Sequence, residues 1–125
     1  MAQYAQIADV IVQDRAAAGE VVEVTVYVKN LYQAPVSMGT LAVFLYGEHG
    51  QTVNFPVYTT NIGAGQTEAF AGSFAMPDAG GQLWVISIWY GADGQWHRDD
   101  EVYKDIQLEE AGFEFDIGTP VVSPA

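Results

Sequence analysis

Asp93, His97, Asp99, Asp100 and Glu101 place four carboxylates and an imidazole within nine residues. Hard oxygens at that density suit a calcium ion, which takes about six to eight oxygen ligands. The run lacks the alternating Asp/Asn frame of a calcium loop, and on an extended backbone Asp99 and Glu101 share one face while Asp100 points away. Asp93, Asp99 and Glu101 are therefore weak calcium candidates. The plainer reading is a solvated acidic lead into a strand, with Arg98 as its counter-charge.

Other chemistries find less support. His49 and His97 fall in separate predicted turns without a third ligand in register, a pattern of surface histidines more than of a zinc site. Ser73 sits in Ala-Gly-Ser-Phe-Ala, which lacks the Gly-x-Ser-x-Gly frame and lies within a strand instead of at a strand-to-helix turn. Sixteen acidic residues offer many pairs for glycoside hydrolysis, but none is set off by an apolar pocket that would raise one pKa. The glycines lie between strands and not ahead of helices, so no phosphate loop or dinucleotide fingerprint is present. The sequence thus predicts a non-enzymatic protein without a cofactor, calcium being the one metal it could serve.

The elements that would position these residues are strands. In Val21 to Asn30, Val22, Val24, Val26 and Val28 fall on one side of an extended backbone, while Glu23, Thr25, Tyr27 and Lys29 fall on the other. Such a strand needs a second apolar sheet over its valines. Gln6 to Gln13 reads as a first strand, and Arg15 to Ala18 as a turn, being too short to nucleate a helix. Strands follow at Thr40 to Tyr46 and at Gln51 to Tyr58, where Pro56 marks a sheet edge or bulge. Asn61 to Gly65 reads as a connection. Gln66 to Met76 carries Phe70, Phe74 and Met76 on one face, with Gly72 leaving room for a bulky neighbour, and is expected to face the sheet neighbours of the valine strand. Leu83 to Tyr90 leads through Asp93-Gly94, a pair suited to a type I′ reversal, into a last strand at Glu101 to Leu108. Seven strands at spacings of about ten residues predict an all-β, immunoglobulin-like antiparallel sandwich. It would occupy residues 1–108, with residues 109–125 as a tail.

The 125-residue chain is long enough to bury one core without disulfides or metals, and it contains no cysteine. Half its residues are hydrophobic, yet no apolar run approaches the roughly 18 residues needed to cross a bilayer. Four basic residues against sixteen acids give a formal charge of −12, which repels phosphate backbones and anionic lipid. Nucleic acid and membrane are poor partners. The first residues lack the basic start and apolar run of a secretory signal, so the chain is either made in the cytoplasm, such as a virion component, or already trimmed, and Met1 favours the first.

Gly19-Glu20-Val21-Val22-Glu23-Val24-Thr25-Val26-Tyr27-Val28-Lys29-Asn30, the apolar Leu41 to Gly47, and Ile62 to Pro77 with its Gly65-Gln66-Thr67 strand lead together resemble bacterial cell-adhesion-related (CARDB-like) domains. The resemblance spans roughly residues 6–108 and implies an immunoglobulin-like fold. Where that family has a glutamate- and asparagine-rich lead into the last strand, this chain has Arg98-Asp99-Asp100-Glu101, so a ligand role for that lead does not carry over. Around Tyr90 to Glu101 the chain also resembles small uncharacterised proteins of tailed bacteriophages, which implies an accessory virion or surface role.

Apolar excess carries the functional expectation. Leu41, Val43 and Leu45 alternate with Ala42, Phe44 and Tyr46, while Leu83, Val85 and Trp89 alternate with Trp84, Ile86, Ile88 and Tyr90, so both faces of both strands are apolar. A two-layer sandwich covers only one face of each sheet. The two strands are expected to pair and to expose an apolar patch that makes subunit contacts, with Phe44, Tyr46, Trp84, Trp89, Tyr90 and Trp96 as its candidate residues. The partners would be further copies or a capsid or tail surface, on a virion or at the extracellular face. In the tail, Phe113, Phe115 and Ile117 alternate with Glu114 and Asp116. They fold back on their own domain, where they could cover this patch, dock on a neighbouring copy or host surface by strand addition, or stay disordered. An alternative reading takes Trp89, Tyr90, Trp96 and Tyr103 as a platform for stacking a glycan on a cell-surface adhesion domain.

Overall fold

The computed structural model describes residues 2–109. Its nine strands are β1 Ala5–Ile11, β2 Arg15–Ala17, β3 Val21–Asn30, β4 Val36–Tyr46, β5 His49–Thr52, β6 Thr59–Ile62, β7 Thr67–Ala75, β8 Gly81–Tyr90 and β9 Trp96–Glu109. One sheet has the order β1-β3-β7, and the other β2-β9-β8-β4-β5, with β6 also pairing β4. The fold is an all-β, immunoglobulin-like sandwich. None of the described residues forms a helix long and apolar enough to cross a membrane.

The core lies where the alternation of β3 places it. Val22, Val24, Val26 and Val28 are all fully buried, packed in one cluster with Phe70 and Phe74 of β7 and with Phe44, Leu83 and Val85 of the opposite sheet. β7 does not face the valine strand's neighbours but pairs with β3 itself, with Val26 opposite Phe70 and Val22 opposite Phe74. The bulky neighbour of Gly72 is Phe55: a Cβ there would stand 2.6 Å from the Phe55 ring and 2.8 Å from the Asn54 carbonyl oxygen.

Several boundaries differ from the sequence reading. Arg15–Ala17 is a strand, not a turn, and pairs in parallel with the end of β9, so the chain crosses early from one sheet to the other. Three residues carry too little periodicity to announce such a switch. The strand read at Gln51 to Tyr58 stops at Thr52. Beyond it Val53 and Phe55 turn inward, and Asn54 makes an isolated bridge to Ser73 of the other sheet. Pro56, lacking an N–H, ends the ladder there. Thr59–Ile62 then pairs with β4, where a connection from Asn61 was expected. The reversal between β8 and β9 also differs. The Gly94 N–H donates to the Gly91 carbonyl and Gly94 alone among this segment's glycines has a positive φ, 78°, so Asp93 and Gly94 are not the two central residues of a type I′ turn.

Buried polar groups are paired. Asn30 donates from Nδ2 to the carbonyls of Ala34 and Ile62 and accepts the Tyr32 N–H, which fixes the loop after β3. Thr40 donates to the Ile86 carbonyl.

Candidate functional site

Register decides which side chains share a surface. β4 and β8 do pair, with Val43 opposite Trp84 and Leu41 opposite Ile86, and β9 adds Tyr103 opposite Trp84. These residues stand on the outer face of the larger sheet. Leu41, Leu45 and Tyr103 are 44%, 39% and 51% exposed, and Val43 and Trp84 are half-buried. Ile86 and Ile88, on the same face of β8 as Trp84, are buried yet lie outside the main core cluster.

Phe44 is not part of that face. It is fully buried on the inner side, stacked on Phe74 at 5.2 Å, and Tyr46 packs half-buried against the same core. With both faces of β4 apolar, alternation alone could not say which was inner. Packing assigned Phe44 inward, where its ring stacks on Phe74 of the facing sheet within the core cluster.

Trp84 centres the outer face. Its indole N–H donates to Glu101 Oε1 at 2.8 Å, the Arg98 guanidinium lies 4.9 Å from its ring, and Tyr103 stacks beside it at 6.4 Å. A cation, a carboxylate and a row of apolar side chains therefore surround Trp84 on one surface, with Asp105 further along it opposite Gln82.

The acidic run is built differently from its expected pattern. Ile86 pairs with Glu101 and Ile88 with Arg98, so Asp99 and Asp100 together oppose the single residue Ser87. This two-against-one bulge turns both carboxylates toward β1 and leaves Glu101 on the outer face. Asp99 accepts the N–H groups of Gln3, Tyr4 and Ala5 at 2.6, 2.7 and 2.8 Å, and Asp100 accepts that of Ile7. Ser87 accepts the Asp100 N–H and donates to the Ala5 carbonyl. Asp93 instead meets His97 Nε2 at 2.9 Å and the Gln95 N–H, and these bonds, the histidine's first, hold its carboxyl below the ordinary aspartate value. The three calcium candidates thus bind three different sets of partners. Among the described residues no group of three or more His, Asp or Glu side chains is placed to hold a metal. His49, beside Tyr46, is in a different part of the sheet from His97, and Ser73 lies mid-strand with its backbone bridged to Asn54.

The four aromatics read as one platform are divided. Tyr103 stands by Trp84, and Tyr90 meets Trp96 edge to face at 5.2 Å across the hairpin. Trp89 turns to the inner side, where His97 stacks on it at 4.5 Å and Tyr4 meets it edge-on at 4.6 Å. Tyr4, Tyr32, Val36, Trp89, Tyr90, Gly91 and Ala92 line a cleft of about 380 Å³ at this end of the molecule. Tyr4 and Tyr32 escaped the sequence reading because one precedes its strand and the other lies in a loop, where no periodicity marks a direction. The tail candidates Phe113, Phe115 and Ile117 lie outside the described residues.

No protein-family model matches the chain, and no curated protein does. Solved structures do. The alkylpurine DNA glycosylase AlkC of Pseudomonas fluorescens, bound to DNA containing an abasic site analog, is similar over 84% of this chain at 16% identity and a TM-score of 0.57, but the match spans only 31% of that enzyme. The C-terminal domain of wzt matches 96% of this chain and 87% of its own length, at 14% identity and a TM-score of 0.57. A CARDB domain from Pyrococcus furiosus, solved in complex with di-metal ions, matches 86% and 90%, at 14% identity and a TM-score of 0.53. At such identities the likeness carries the fold and nothing more, an immunoglobulin-like sandwich shared with whole small domains and with one part of a larger enzyme.

Proposed function

We propose that this chain is a non-enzymatic interaction module that associates with further copies of itself through the outer face of its larger sheet. The carrying observation is the row Leu41, Val43, Leu45, Trp84 and Tyr103, which leaves large apolar side chains in water over a sheet whose other face already forms the core. A second copy suits this face because Arg98 and Glu101 flank Trp84 within it. In a two-fold contact each could meet its opposite charge on the partner, as self-complementary interfaces require. Three strands spaced about 4.8 Å apart make a narrow patch, smaller than the roughly 800 Å² per partner of a standard interface. A single contact is then weak, and gains strength where many copies are arrayed. That favours an accessory protein repeated on a phage particle or at a cell surface.

Sedimentation of the full chain across concentration tests this. Self-association is expected, and Leu45→Lys or Tyr103→Asp is expected to weaken it at least tenfold with the melting temperature little changed, since both positions are exposed. A strict monomer at every concentration overturns the proposal.

A further inference from the structure

The cleft at the β8–β9 hairpin is separate from the outer face and differs from it in character. Four of its lining residues are aromatic, and none is basic. Tyr4 stands nearly perpendicular to both Trp89 and Tyr32, at 82° and 85°, so the rings form angled walls and not a flat platform. Tyr32 and Tyr90 keep much of their surface open to solvent.

Carboxylates lie against the backbone that carries these walls. Asp99 holds the backbone N–H of Tyr4, and Asp93 Oδ1 would lie 2.5 Å from a Cβ on Gly91. His97, against the face of Trp89, is occupied by Asp93. Arg98 lies over Trp84 on the outer face. The whole chain adds a field of formal charge −12, which concentrates cations at its surface and repels anions.

We propose that this cleft binds an organic cation of the quaternary-ammonium class, its methyl groups against the rings of Tyr4, Tyr32, Trp89 and Tyr90. The negative ring faces left open to the cleft attract a diffuse cation, and a trimethylammonium head has a small enough desolvation cost to enter an aromatic box. A neutral sugar would use the ring surfaces but gain nothing from the acidic field. It would also need several fixed polar groups, whereas the polar side-chain atoms lining the cleft are the phenols and one indole.

The test is titration of the full chain with choline, followed by calorimetry and tryptophan fluorescence, beside its neutral isostere 3,3-dimethylbutan-1-ol and a methyl glucoside. Choline is expected to bind saturably, at least about tenfold more tightly than the isostere, and more weakly as salt is raised. Tyr32→Leu and Tyr90→Leu are each expected to weaken choline about fivefold, while Tyr32→Phe, which keeps the ring, and Tyr27→Leu on the other sheet leave it unchanged. Circular dichroism checks that each variant is folded. Equal binding of the isostere, tighter binding of the glucoside, loss on Tyr32→Phe, or no saturable choline binding by the folded wild-type chain would each overturn the proposal.

Discussion

The carboxylate of Asp99 accepts the backbone N–H of Tyr4 at 2.7 Å, across 95 residues of sequence. The bond ties β1 to a sheet with which it does not pair, and it fixes the backbone that carries one wall of the aromatic cleft. Asp99 can do this only because the bulge opposite Ser87 turns it inward. Fold and candidate site therefore depend on the same irregularity.

Asp99→Ala should leave the three N–H groups of Gln3, Tyr4 and Ala5 without their acceptor. A loss of about 2 kcal/mol is expected, because bonds to a charged acceptor are strong but water can reach this partly exposed site. Denaturant unfolding measures the loss. Hydrogen exchange at Tyr4 and Ala5 should accelerate more than exchange in β3, and uniform acceleration would refute a local anchor.

Gly72→Ala should destabilise by about 1–3 kcal/mol, since the new methyl would overlap both the Phe55 ring and the backbone carbonyl of Asn54. Phe55→Leu in the same chain should recover part of the loss but not all, because the carbonyl cannot be trimmed. A thermal melt of the double variant against each single variant reads this coupling.

Asp93 should titrate below the ordinary value of 3.8, held there first by the His97 hydrogen bond and then by the Gln95 N–H. A carboxyl depressed in the folded state contributes stability that is present above its unfolded value and lost as pH falls through its folded one. The hairpin should therefore loosen only below about pH 4, in the acid limb, and not near neutrality. Carbon-13 NMR of the Asp93 carboxyl measures the midpoint, and His97→Phe should move it upward toward 3.8.

Some of this molecule was legible along the chain. The alternation of Val22, Val24, Val26 and Val28 names the buried face of β3 without reference to any other strand, and the shape of Gly72 anticipates a large neighbour. The acidic excess needs only a count of residues. Periodicity and charge are local or additive properties, which is why a linear reading recovers them.

Tertiary structure alone decided the rest. Phe44 and Leu45 are equally apolar, and only the space between the sheets determines that the first is core and the second faces water. Parity along β9 fails at Asp99 and Asp100 because a bulge inserts one residue, which sends both toward β1 and overturns the face expected from simple alternation. Tyr4, Tyr32 and Trp89 meet from three distant stretches of chain. Alternation records which neighbours a side chain avoids along its own strand, but convergence of this kind depends on how the strands are stacked.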